Sequence, residues 1–253
     1  MTRKVAQIVS ELSVMMQQWS GLEAIVLGED ADISTYDPYF CIDLDVYFRA
    51  TLPPSNDRQQ GFGDPAVFET SPSYPIDTFL VGDFPVRIVY AEISRIDLIL
   101  QRVKNHAWVL HESGTNLFYR IQNGKILHTK SDWLEHTRAD LAQTFAPSWD
   151  AILDASRRAM AHSTRDIGAA VLRSDGLLLL TASAGFVRSV CTHIFALNQK
   201  FEPSPRTVQG KIAQLKNLPE GFLGRLESFL RQDDEITPEK KRELAELITK
   251  SLI

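Results

Sequence analysis

Asp43 and Asp45 stand two apart in the segment Phe40 to Phe48, where Cys41, Asp43, Asp45 and Tyr47 alternate with Ile42, Leu44, Val46 and Phe48. A period of two is that of a β-strand, so both carboxylates project from one face. Two carboxylates this close repel, and each raises the pKa of the other unless a cation neutralises them. Oxygen ligands at that density suit Mg2+, which keeps waters and binds one or two carboxylates together with substrate phosphates. Two such ions activate an attacking hydroxyl and stabilise a leaving pyrophosphate. The same alternation also describes the solvated face of an edge strand.

A second group of polar residues, Asn198, Lys200 and Arg206, follows a long apolar helix and sits around a proline-bracketed turn. Arginine forks and lysine point charges suit phosphate oxygens. Cations at that place equally favour the dipole of a helix C-terminus. His111, His128 and His136 lack the i, i+3 or i+4 spacing of paired metal ligands, and no glycine-rich phosphate loop is present.

The elements that must position the acids follow from periodicity. Val5, Ile8, Val9, Leu12, Met16 and Trp19 form one stripe of a helix over residues 4–19. Ala24 to Gly28 reads as a short buried strand ending in glycine. Residues 51–77 hold five prolines and read as a loop with at most a short strand. Thr78 to Val81 and Phe84 to Ile93, separated by Gly82-Asp83, read as a hairpin, and Ser94 as the cap of a helix reaching about His111. Asn123-Gly124 predicts a second hairpin between Leu117–Ile121 and Lys125–His128. After Ser131 only helical patterns remain, over roughly 132–144, 148–172, 176–199, 205–217, 220–231 and 238–252, the last opened by Thr237-Pro238. The expectation is an α+β protein: a mixed-sheet domain over 1–130 and an all-helical bundle over 131–253.

The chain of 253 residues is 44% hydrophobic and 23% charged, which excludes a disordered or fibrous protein. Its net charge of −5 is unevenly spread. Glu29 to Asp97 carries thirteen carboxylates against four arginines and no lysine, whereas Arg102 onward carries seventeen carboxylates against twenty-one Lys and Arg. An acidic half facing a mildly basic one suits a metal-holding surface opposed to a surface for an anionic substrate. The acidic total argues against a polynucleotide ligand, which needs a clustered basic footprint. Cys41 and Cys191 have no partner at metal-ligand spacing, and the N-terminus has no apolar export core, so a cytoplasmic protein is expected. The apolar stretch Gly176 to Val187, flanked by Asp175 and Arg188, is too short to span a bilayer, and no membrane partner is expected.

Residues 25–48, in which a strand ends at Gly28-Glu29 and the next carries Ile-Asp-Leu-Asp-Val-Tyr-Phe, resemble the nucleotidyltransferase superfamily of the polymerase-beta-like fold. Asn116 to Ile121, and the segment Phe195 to Pro203 with Leu218-Pro219 downstream, look like the domain-of-unknown-function 4037 branch, related to antibiotic nucleotidyltransferases. The resemblance implies Mg2+-dependent transfer of a nucleotidyl group from a nucleoside triphosphate to a small hydroxyl-bearing acceptor. It implies Asp43 and Asp45 as metal ligands and Glu92 as third acid or base. Gly28, Glu29, Asn198, Lys200 and Arg206 would line the nucleotide, with Lys200 or Arg206 facing the acids across a cleft between the domains. The chain departs from the family pattern at Glu29, where a small residue is usual, and at Arg87, where the third carboxylate is usual. These departures support an alternative: a catalytically silent module that binds a nucleotide or a protein partner.

Overall fold

The computed structural model describes residues 2–28, 40–71, 75–105, 115–233 and 235–252. The chain divides into two compact units, one of residues 1–102 with 117–144, the other of residues 103–116 with 145–253.

The first unit is built on a six-stranded mixed sheet. Helix α1 (Arg3–Met16) precedes β1 (Leu22–Leu27) and β2 (Ile42–Phe48). Helix α2 (Ser55–Gly61), β3 (Phe68–Thr70), β4 (Ile76–Val81) and β5 (Phe84–Glu92) follow, then α3 (Ile93–Asn105), α4 (Asn116–Asn123), β6 (Lys125–Thr129) and α5 (Trp133–Phe145). The strand order is β3-β4-β5-β2-β1-β6, so β2 is a central strand and not an edge. It pairs antiparallel with β1 and parallel with β5. Its residues Ile42 to Tyr47 are buried, which overturns the solvated-edge reading of the Asp-x-Asp alternation.

One face of this sheet forms the core. Ile25, Leu27, Ile42, Leu44, Val46, Val86 and Ile88 pack with Val5, Ile8, Val9, Leu12 and Met16, the predicted stripe of α1. Each such side chain taken out of water contributes roughly 1.5–3 kcal/mol. The same region contains a buried ion pair that the sequence did not announce. Arg58 of α2 donates from Nε and Nη2 to the two carboxylate oxygens of Asp77, each at 2.7 Å, and the Tyr90 hydroxyl donates to Asp77 Oδ2 at 2.7 Å. Residues 51–77 therefore hold a helix, the three-residue strand β3 and the start of β4, whereas the proline content predicts a loop with at most a short strand.

Two further expectations are corrected. Asn123-Gly124 is the end of a helix and not a hairpin turn, since Asn116–Asn123 is helical and Lys125–Thr129 pairs with β1. Phe118 and Ile121, three apart, are both buried, a helical spacing that tertiary packing rewards over the turn signal. Ser94 lies inside α3, which begins at Ile93, and its hydroxyl donates to Glu92 Oε1 at 2.6 Å.

The second unit is helical: α6 (Trp149–Arg173), α7 (Gly176–Leu197), α8 (Val208–Ile212), α9 (Phe222–Leu230) and α10 (Pro238–Leu252). Ser174 in the left-handed conformation ends α6, and Asp175 caps α7 by accepting from the Leu178 N–H at 2.9 Å. Met160, Ile167, Phe186, Val190, Ile194, Phe222, Phe229, Ala245 and Ile248 form its core. Helix α7 runs to Leu197, beyond the apolar stretch that the sequence marks. Among the described residues it is the one helix long and apolar enough, by length and composition, to cross a membrane, and a third of its most apolar window is buried.

Candidate functional site

The candidate site lies on the sheet face opposite α1. In the parallel pairing of β2 and β5, Asp43 is the direct partner of Arg87 and Asp45 of Val89. Partners in register share a face, so the guanidinium of Arg87 is delivered beside the carboxylate of Asp43. Arg87 donates from Nε to Asp43 Oδ1 at 2.5 Å and from Nη2 to Oδ2 at 2.7 Å, a two-point fork.

Asp45 is paired with a residue outside the sheet, through one hydrogen bond and one close ion-pair contact. Arg120 of α4 donates from Nε to Asp45 Oδ2 at 2.8 Å, and its Nη2 lies 2.7 Å from Oδ1. Two contacts seat α4 for this purpose. Arg138 of α5 donates to the carbonyls of Ile121 and Gly124, each at 2.7 Å, and so closes the open end of the helix. Gly124 packs against β1 so closely that a Cβ there would stand 2.2 Å from Val26 Cγ1.

Asp43 is 2% exposed and Asp45 6%, while the Arg87 and Arg120 side chains are 40% and 21% exposed. The acids therefore lie under the guanidinium groups. Burial pushes the Asp45 carboxyl up to about 6, with Arg120 opposing the shift and Asp43 adding to it. The neighbouring Tyr47 hydroxyl is buried without a hydrogen-bond partner among the described residues, and burial, reinforced by Asp45, raises its pKa.

The remaining sequence candidates lie on other elements. Gly28 donates its N–H to the Asp43 carbonyl at 2.8 Å, and a Cβ on it would stand 3.2 Å from Asp43 Cβ, so glycine is placed tightly against the acid-bearing strand. Glu29 lies outside the described residues. Glu92 pairs with Phe48 at the far end of β5 and is exposed. Its even position puts it on the opposite side of the strand from Arg87, so the structure does not bring it to the aspartates. Asn198, Lys200 and Arg206 belong to the second unit. The Asn198 amide donates to the carbonyls of Ile194 and Asn217, and its Oδ1 accepts from the Asn217 N–H at 2.8 Å. That side chain is a staple between the end of α7 and the segment after α8. Lys200 and Arg206 are exposed.

Sequence reasoning missed Arg120 and treated Arg87 only as a missing acid. Arg120 carried no usable signal, because its segment reads as a strand next to an Asn-Gly turn. Arg87 did carry one, in the parity that places it opposite Asp43.

No family model and no curated protein matches this chain. Solved structures do resemble it. One is a nucleotidyltransferase-like protein from Exiguobacterium sibiricum, 13% identical, with a TM-score of 0.47 over 98% of this chain and 72% of that one. Another is a CCA-adding enzyme solved with ATP, 9% identical, with a TM-score of 0.32 over 97% of this chain and 67% of that one.

The donor set does not suit Mg2+. Both aspartates have their two oxygens engaged by guanidinium groups, and the position beside Asp43 on β5 carries a cation. Among the described residues no group of three or more His, Cys, Asp or Glu is placed to hold a metal ion. A divalent ion would have to displace two ion pairs, so the residues as held do not fit it.

Proposed function

We propose that the chain is a nucleotide-binding module of the nucleotidyltransferase kind, in which arginines occupy the place of divalent ions and metal-dependent transfer is silent. The observation that carries this reading is the pair of ion pairs, the two-point fork of Arg87 on Asp43 and the contact of Arg120 with Asp45. They neutralise the acids without metal, and both arginine side chains remain partly exposed. Guanidinium is the side-chain group best matched to phosphate. The nucleotide ligand is supported by the strand–Gly28–Asp-x-Asp resemblance and by the close seating of Gly28 on β2. Asn198, Lys200 and Arg206 are candidates for further phosphate contacts from the second unit.

The second reading is Mg2+-dependent transfer of a nucleotidyl group to a small hydroxyl-bearing acceptor. It is favoured by one observation, the placement of Asp43 and Asp45 on one face of a central strand. It requires both guanidinium groups to leave the carboxylates.

Calorimetric titration of the full chain with a non-hydrolysable ATP analogue, with and without Mn2+, separates the readings when paired with a pyrophosphate-release assay over a panel of alcohols. Metal-independent binding without pyrophosphate release is expected. Metal-dependent release would establish the second reading, and absence of binding in every condition would remove the nucleotide altogether.

A further inference from the structure

The helical unit contains a cleft of about 740 Å3. That is within the range of small-ligand sites, roughly 300–1,000 Å3. Leu180, Val187 and Phe229 give it apolar surface. Sites of this kind owe their specificity to a few polar groups, so what matters is which polar side chains line the cleft and which already have partners.

Two of the lining residues are cations. Arg188 is exposed on α7, and Lys241 is half-buried in the first turn of α10, its Nζ 5.8 Å from the centre of the Phe229 ring. Neither makes an ion pair among the described residues, and neither is offered one by its own helix. The positions three and four away from Arg188 hold Ala184, Gly185, Cys191 and Thr192, and those around Lys241 hold Thr237, Pro238, Leu244 and Ala245. A cation in a first turn also stands at the positive end of the helix dipole, so α10 does not offset the charge of Lys241. A third donor is Ser183, one turn before Val187, whose hydroxyl is buried without a hydrogen-bond partner among the described residues. A buried polar atom left in that state is costly unless something supplies its partner.

Glu202 is the one carboxylate among the described residues of the lining. Its backbone is pinned, the N–H donating to Thr115 Oγ1 at 2.7 Å and the carbonyl accepting from the Asn116 amide at 3.4 Å. Its Oε1 already accepts from the Thr192 hydroxyl at 3.0 Å. Among the described residues no ion pair joins it to Arg188 or Lys241. The lining therefore sets two cations against one acid, an excess of one positive charge.

We propose that this cleft binds a small monocarboxylate with an apolar body, its charge balanced by Arg188 and Lys241, the Ser183 hydroxyl donating to it and the apolar body lying on Val187 and Phe229. One negative charge cancels the excess in the lining. An ammonium head would reach Glu202 only by adding a third cation against one acid. An alcohol would leave both cations without a counter-charge. The site lies wholly within the second unit and does not rest on the nucleotide reading.

The test is an amide NMR titration of the full chain, at low ionic strength, with three probes that share one apolar body: 4-phenylbutyrate, 4-phenylbutan-1-ol and 4-phenylbutylamine. The carboxylate is expected to bind about tenfold more tightly than the alcohol, the margin of a charge-assisted over a neutral hydrogen bond, and the amine most weakly. Added salt should narrow the gap between carboxylate and alcohol. Lys241→Met keeps an apolar stem over Phe229 and removes the charge. It is expected to weaken the carboxylate by about fivefold and to leave the alcohol unchanged. Arg188→Met, at an exposed position of α7, should act in the same direction. The proposal is overturned if the carboxylate fails to saturate, if the alcohol or the amine matches it, or if both variants bind the carboxylate as the wild type does. Should Lys241→Met not fold, the probe ranking and Arg188→Met decide the matter.

Discussion

Arg87 lies directly across from Asp43 in a parallel strand pair and grips both of its carboxylate oxygens, at 2.5 and 2.7 Å. A cation therefore stands where a third acid would complete a metal-binding triad. Arg87→Asp converts the site into three neighbouring carboxylates, Asp43, Asp45 and residue 87. Electron paramagnetic resonance should then show Mn2+ bound by the variant and free in the presence of the wild type. Equal binding by both proteins would mean that Arg87 does not exclude the ion.

The Arg58–Asp77 pair is a matter of stability. Asp77 is fully buried and receives three hydrogen bonds from Arg58 and Tyr90. Arg58→Met leaves an uncompensated buried carboxylate and should cost about 3–5 kcal/mol in urea denaturation. Adding Asp77→Leu should recover much of that loss, because the pair is then replaced by apolar volume. A double variant as unstable as the sum of the single ones would contradict this account.

Gly124→Ala tests the seating of α4. Its Cβ would overlap Val26 Cγ1 at 2.2 Å and crowd the Arg120 carbonyl at 2.7 Å. Overpacking of this kind costs typically about 1–3 kcal/mol. The displaced helix should also loosen Arg120 from Asp45, visible as a shift of the Asp45 carboxyl resonance. A variant with wild-type stability and an unshifted resonance would show that α4 is not locked by Gly124.

Asp45 makes stability depend on pH in a direction opposite to an ordinary salt bridge. Its native pKa lies above the usual 3.8, at about 6, because burial outweighs the attraction of Arg120. Below 3.8 native and unfolded states are both protonated, and the contribution is fully present. As pH rises the unfolded chain ionises first, so the contribution is lost by the time pH passes 6. Between pH 4 and pH 7 the wild type should lose roughly 2–3 kcal/mol relative to Asp45→Asn. Parallel denaturation curves at each pH would refute the shift.

His193 works with the opposite sign in the second unit. Its ring is buried, with Nδ1 2.9 Å from Ser156 Oγ and Nε2 3.1 Å from the Leu252 carbonyl. Burial, aided by the charge of Arg157, lowers its pKa below 6.5. The stabilisation is present above 6.5 and is lost as pH falls through the lowered value. Helical content followed by circular dichroism should therefore fall on acidification in the wild type more than in His193→Gln.

What the sequence determined by itself was local. Alternation over Cys41 to Phe48 made β2 a strand with both aspartates on one face. The spacing of Val5 to Met16 made α1 amphipathic, and the breakers around Gly82 and Thr237-Pro238 set a turn and a helix start. These are properties of neighbouring residues, and neighbouring residues suffice to express them. The tertiary structure decided the rest. Whether β2 lies at an edge or at the centre depends on strands distant in the chain. The parallel register that joins Asp43 to Arg87 spans forty-four positions, and the contact of Arg120 with Asp45 spans seventy-five. Asn123-Gly124 is a hairpin signal overruled in a segment whose Phe118 and Ile121, three apart, are both buried from a helix. The acids were legible as a pair, but their partners were not, because a counter-charge is chosen by proximity in the folded chain and leaves no mark on local spacing.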